Sequence, residues 1–225
     1  MKDEILSQVF APERVLGALA NLSGELMPSG EVIFTRNVNV LIGELTGSGS
    51  ARASKLVSDL VRAGIRATVV SDIRQQEWSK FAAWVALAAL SVTTRATTGD
   101  FLSDPDAAVL TVRLMREVGE LAAASGVTMT DDALLPAATL SKVSEPEAVQ
   151  IVCDIGEGFR RNSPQHRMST LQDIEANRPL ETQETLGFAV QRASELHLKL
   201  PLLEGFAHLL RSVDRTSRQS NRSPT

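Results

Sequence analysis

A chain of 225 residues with 23 Lys+Arg, 27 Asp+Glu, a net charge of -4 and 43% hydrophobic residues can bury a real core, as one large domain or two small ones. That charge gives no electrostatic reason to expect nucleic acid, and 4% aromatics without a tyrosine leave little for a base-stacking platform. The single cysteine, Cys153, excludes an intramolecular disulfide and a multi-cysteine metal site, and His166, His197 and His208 lack ligand spacing, so no metal is expected.

Met1 to Phe10 carries Lys2, Asp3 and Glu4 and lacks the apolar region of a signal peptide. The most apolar stretch, Phe81 to Val92, is well short of the roughly 20 residues a spanning helix needs. No membrane association and a cytoplasmic, soluble chain are the expectation. From Val15 to Val70 the pattern is strand-rich. Val15 to Leu22 and Glu31 to Phe34 read as short strands around a Pro28-Ser29-Gly30 turn, and Val38 to Ile42 reads as a third. Gly43 and the Gly47-Ser48-Gly49 loop close it. Ser50 or Ser48 can cap a helix through Lys55, Leu56, Leu60 and Val61 that stops at Gly64, with Ile65 to Val70 as the strand after it. Such a set looks like the tail end of an α/β sheet, too small for a complete nucleotide-binding domain.

Beyond Asp72 the period is helical. Asp72 is placed to cap a helix through Trp78, Phe81, Val85 and Leu90 that ends near Thr97-Thr98-Gly99. Asp104-Pro105 starts another, with Val109, Val112, Met115 and Leu121 on its apolar face and Gly126 as its stop. Asp131 to Lys142 and Pro146 to Phe159 read as shorter helices, and Ser169 opens a brief one ending before Pro179. Glu184 to His197 and Pro201 to Val213 complete a bundle. The Arg/Ser-rich segment 214–225 has no apolar period and is expected to be disordered.

Two segments carry chemistry. Asp72-Ile73-Arg74-Gln75-Gln76-Glu77-Trp78-Ser79-Lys80-Phe81 puts Lys80 early in an apolar helix, between Trp78 and Phe81. Met168-Ser169-Thr170-Leu171-Gln172-Asp173-Ile174-Glu175, followed by Arg178-Pro179-Leu180-Glu181, puts Ser169 and Glu181 at helix starts. Taken singly, Lys80 is a snorkelling surface lysine, Ser169 an N-cap, and Glu181 a first-turn glutamate favoured by the helix dipole. Taken together, the segments resemble the C-terminal domain of the ketopantoate reductase (2-dehydropantoate 2-reductase) family, and with the tail of that family's N-terminal domain the resemblance covers residues 10–213.

That resemblance implies an α+β fold: a truncated Rossmann-like α/β remnant over residues 1–71, then an all-helical domain of 6-phosphogluconate-dehydrogenase-like type over 72–213. It implies reduction of a 2-keto acid such as ketopantoate with NADP as cofactor. Lys80 would be the catalytic residue, delivering a proton to the carbonyl oxygen, a role that partial burial suits by lowering a lysine pKa from ~10.4. Ser169 would hold the substrate, and Glu181 would lie near the cofactor ribose, keeping Lys80 charged and oriented.

The sequence also departs from the family pattern. It contains no G-x-G-x-x-G, so NADP is not expected to bind this chain alone. Trp84, Ala88 and a position near Thr98 stand where the family has asparagines, whose paired donor and acceptor suit substrate hydroxyl and carboxylate groups. The expectation is a recognisable but degraded pocket, with Trp84 near its wall and Lys80, Ser169 and Glu181 converging on it. The chain alone is then expected to be inactive. The alternative is a non-catalytic remnant that serves as a dimerisation or small-acid-binding module. A homodimer is expected, because a truncated sheet leaves the Val15–Leu22 and Val38–Ile42 strands with unpaired edges.

Overall fold

A computed structural model describes residues 2–27, 29–47 and 49–220. The fold is α+β, with two compact units, Met1–Glu77 and Trp78–Thr225.

The first unit opens with helix α1 (Lys2–Val9) and continues through strands β1 (Leu16–Leu26) and β2 (Val32–Glu44), helix α2 (Ala51–Arg62) and strand β3 (Ala67–Val69). Its sheet has the order β1-β2-β3. β1 and β2 are antiparallel, pairing Leu16 with Glu44, Ala18 with Ile42 and Ala20 with Val40, and β3 runs parallel to β2 with Ile42 opposite Val69. The expected Glu31–Phe34 and Val38–Ile42 strands are therefore one strand, since no turn-forming pair interrupts Thr35-Arg36-Asn37. As the central strand, β2 has β1 on one side and β3 on the other over Val40–Ile42, so the expected free edge is filled across those residues.

Gly17 and Gly43 face each other across β1 and β2. A Cβ on either would collide with the side chain of Ile73, which is wholly buried. This paired absence of side chains opens the slot into which the first turn of the next helix drops its isoleucine. Leu19 and Leu41 complete that core, with Leu45 and Val70 packed against it. Ser50 caps α2 by accepting from Ala53 N at 3.2 Å, and Gly64 takes the left-handed φ of 83° that lets the chain leave the helix. Ser48, the other cap considered, lies outside the described residues.

Helix α3 (Ile73–Thr94) begins in the first unit and runs on into the second. Asp72 caps it through a 3.2 Å bond from Gln75 N. From Phe81 to Val92 nearly every residue is buried, so the helix is apolar on all sides, as a central helix must be. It stops at Thr94, short of the expected Thr97–Gly99, because Arg95 adopts a left-handed φ of 56°. Thr97 instead caps α4 (Thr98–Ser103).

α5 (Pro105–Ala124) follows, capped by Asp104, and Gly126 ends it as expected. Only α6 (Ala137–Leu140) forms within the expected 131–142 helix. Asp131 takes hydrogen bonds from Thr139 N at 2.9 Å and Thr139 Oγ1 at 2.7 Å, which pins the preceding residues as a loop. α7 (Glu145–Asn162) crosses α4 where Gly156 lets the backbones meet. After α8 (Ser169–Glu175), a π-helical turn over Gln183–Gly187 leads into α9 (Phe188–Glu195).

The last helix, α10 (Pro201–Ser220), is capped from a neighbour: the Glu117 carboxylate of α5 accepts from Leu202 N at 3.0 Å and Leu203 N at 2.7 Å. α10 continues through Ser220, so residues 214–220 of the segment expected to be disordered are helical. Asp214 supplies the reason. It is 7% exposed and accepts from Leu180 N at 3.1 Å, which binds this turn into the core. Residues 221–225 of that segment lie outside the described residues. No helix among the described residues is long and apolar enough to cross a membrane.

Candidate functional site

Positions 80, 84 and 88 lie at helical spacing on one face of α3, about 6 Å apart in rise per step. Lys80 is partly exposed at the start of this stripe, beside a T-shaped Trp78–Phe81 pair with ring centroids 5.9 Å apart. Trp84 and Ala88 form one wall of a cavity in the helical unit. Thr170 from α8, Leu180 to Thr182, Thr185 and Leu186 around the π turn, and Leu210 from α10 supply the remainder.

The structure thus brings Glu181 together with Trp84 and Ala88. Ser169 itself is exposed, and its neighbour Thr170 takes the place on the wall. Ser169 is also not the N-cap: Met168 holds that position and Ser169 is the first helical residue. Lys80 is not among the lining residues. With a volume of about 10 Å³, the cavity has room for roughly one water. A side chain as large as an indole accounts for that tightness, since an asparagine at position 84 would leave most of its volume open.

Short-range bonding fixes the walls. Ser91 Oγ lies 3.2 Å from Thr170 Oγ1 and donates to Ala88 O at 3.1 Å, which ties α8 to α3. Leu180 N is held by Asp214, and Gly187 N donates to Thr182 O at 2.8 Å across the π turn. Such turns widen a helix by one residue and occur often at functional sites. Thr185 Oγ1 donates to Glu181 O. Thr182 differs from these hydroxyls: it is 4% exposed, and its Oγ1 is buried without a hydrogen-bond partner. An unsatisfied buried hydroxyl costs about 1–3 kcal/mol. Thr170, Thr182 and Asp214 were not singled out in the sequence; the spacing of Thr182, Thr185 and Leu186 on one helical face was the available signal.

The first unit offers one place to test for a dinucleotide, the strand–helix–strand step from β2 through α2 to β3. Gly47, with φ 76°, and Gly49 lie in its turn. A helix N-terminus after such a turn suits a phosphate. Here Ser50 caps the helix, and the Glu44 carboxylate lies beside that cap, bonded to the Ser50 and Arg52 side chains. Arg52 Nε and Nη2 donate to that carboxylate at 2.8 and 2.5 Å, and Nη2 also reaches Val15 O at 3.2 Å. The Arg52 guanidinium, followed by the Ser50 hydroxyl, brings the Glu44 pKa down to about 2. A fixed carboxylate repels pyrophosphate, so these residues do not fit the dinucleotide. Among the described residues no group of three or more His, Cys, Asp or Glu side chains is placed to hold a metal ion.

Residues 72–214 match the family described as ketopantoate reductase PanE/ApbA C terminal. A 2-dehydropantoate 2-reductase from Mesorhizobium japonicum is 26% identical over 207 residues, which are 92% of this chain and 57% of that protein. A dimeric ketopantoate reductase from Staphylococcus aureus has a TM-score of 0.68 and 22% identity, covering 90% of this chain and 62% of that one. D-mandelate dehydrogenase in complex with NADH has a TM-score of 0.79 and 15% identity, covering 96% and 67%. The structural likenesses establish the fold, and the chain spans less than two thirds of the length of these ketopantoate reductases.

Proposed function

We propose, for a chain that belongs to the ketopantoate reductase PanE/ApbA family through its C-terminal domain, that it forms the acid-binding half of an NADPH-dependent reductase acting on a 2-keto acid such as ketopantoate. The observation that carries this reading is the family match across the helical unit, within which Glu181 shares a cavity wall with the stripe of α3 that begins at Lys80. In this reading the Lys80 ammonium attracts the substrate carboxylate, polarises the keto group and holds the proton destined for its oxygen. Ser169, exposed at the first position of α8, donates to the carboxylate. Glu181 keeps Lys80 charged and oriented.

In this reading the residues of this chain hold the acid and do not by themselves bind NADPH, which a nucleotide-binding unit holds. It is a cytoplasmic homodimer, a reading supported by the dimeric relative from Staphylococcus aureus. Calorimetric titration of ketopantoate into the chain tests the proposal. Saturable binding that falls by about tenfold or more in Lys80→Ala is expected, in line with loss of a charged hydrogen bond. No saturable binding in the wild type would sink it.

The second reading is a small-acid-binding or dimerisation module without catalysis, favoured by the Trp84 wall that leaves the cavity only about 10 Å³. Adding a nucleotide-binding unit from a relative distinguishes the two: turnover of ketopantoate supports the first, and binding without turnover the second.

A further inference from the structure

The cavity in the helical unit has a lining that is carbon almost throughout. Trp84, Ala88, Leu180, Leu186 and Leu210 supply most of it. The hydroxyls beside them are spent on the protein itself. Ser91 Oγ gives its hydrogen to Ala88 O, so the Thr170 hydrogen goes to Ser91, and the Thr185 hydroxyl donates to Glu181 O. The Thr182 oxygen is enclosed by protein and does not open onto this space. Glu181 is the one charged residue of the lining, and it is exposed. A volume of about 10 Å³ has the size of one water, but no hydroxyl that opens onto it has a hydrogen left to give. A small space walled by carbon stays dry, and a methyl group is what suits it.

Trp84 and Ala88 are also successive positions of the α3 stripe that starts at Lys80, with about 6 Å of rise per step. An acid held by its carboxylate and keto group at Lys80 sends its side chain along this stripe, past Trp84 and towards the cavity. We infer that the cavity is the side-chain subsite of the acid site, taking the alkyl end of a 2-keto acid, and that Trp84 sets the length admitted. The inference rests on the acid-binding reading. The substrate class is then 2-keto acids whose side chain ends in a methyl group. Ketopantoate meets that rule through one of its two methyl groups and gains nothing from its hydroxyl. A chain that can only end in a hydroxyl is rejected, because that group loses its water and meets no partner.

The test uses a matched pair, 2-oxopentanoate and 4-hydroxy-2-oxobutanoate, which differ only by a hydroxyl in place of the terminal methyl. Calorimetry measures the binding of each to the full chain, with 2-oxohexanoate as the longer chain and thermal melting as the check on folding. The wild type is expected to bind 2-oxopentanoate about tenfold or more tighter than its hydroxylated partner. Trp84→Phe, which trims the wall, is expected to raise the affinity for 2-oxohexanoate relative to 2-oxopentanoate by about threefold, the worth of one newly buried methylene. Equal binding of the matched pair by the wild type, or a preference for the hydroxylated acid, overturns the inference and leaves the acid site standing. An unchanged length preference in a folded Trp84→Phe overturns it as well. If none of the acids binds the wild type, the acid-binding reading fails and this inference with it. Should Trp84→Phe fail to fold, Ala88→Val, which fills the cavity, must lower the preference for 2-oxopentanoate over its hydroxylated partner, and an unchanged preference there overturns the inference.

Discussion

Arg52 and Glu44 form a two-pronged ion pair at the start of α2, with both guanidinium bonds no longer than 2.8 Å. The pair joins the end of the central strand to the helix that follows it. Because the folded Glu44 pKa lies near 2, below its ordinary 4.5, its contribution to stability is present above about pH 4.5 and is lost as pH falls towards 2. Melting of Glu44→Gln and wild type should differ at pH 6, with the variant less stable, and converge near pH 2. Parallel curves across that range would contradict the assignment.

Glu77 has the opposite sign. Burial, followed by its hydrogen bond with Asp3, pushes its carboxyl up to about 7 against the opposing pull of Lys2. A raised folded pKa makes its contribution to stability complete below about 4.5, and that contribution is lost as pH rises through 7. Glu77→Gln should therefore melt above the wild type at pH 8, by on the order of a few °C, and lose the advantage at pH 4. A wild type that melts higher at pH 8 than at pH 5, with Glu77→Gln unchanged between them, would refute this.

Two glycines of α7 behave differently despite lying two residues apart. A Cβ at Gly156 would come within 2.5 Å of Ser103 N and 2.6 Å of the Leu102 carbonyl carbon, both backbone atoms of α4 that cannot swing aside. At Gly158 nothing lies within 4 Å. Gly156→Ala should cost about 1–3 kcal/mol, whereas Gly158→Ala should stabilise the helix by about 0.5–1 kcal/mol. Denaturant melts of the two variants check the contrast, and equal effects would count against the close α4–α7 crossing.

Asp214 holds Leu180 N directly before Glu181 and pairs with Arg218. Asp214→Ala removes the acceptor from a buried N–H and should cost about 1–3 kcal/mol. Amide exchange at Leu180 should speed up in the variant. Unchanged protection there would show that the turn before the cavity is held by other contacts.

Much of this was readable in the sequence. Caps and stops are local, so Asp72, Ser50, Asp104, Gly64 and Gly126 marked element ends that the structure keeps. The helical period after Asp72 and the Lys80 and Ser169 segments carried the family and its fold. What local pattern could not supply was pairing at a distance. The continuity of β2 depends on β1 lying beside it through residues 32–37, and the helicity of 214–220 depends on a buried acceptor meeting Leu180. The loop at 131–136 depends on one carboxylate reaching Thr139. The cavity depends most on tertiary structure. Its wall joins residues from α3, α8, the π turn and α10, and an unmatched hydroxyl such as that of Thr182 has no signature in sequence, because only packing decides whether a polar atom finds a partner.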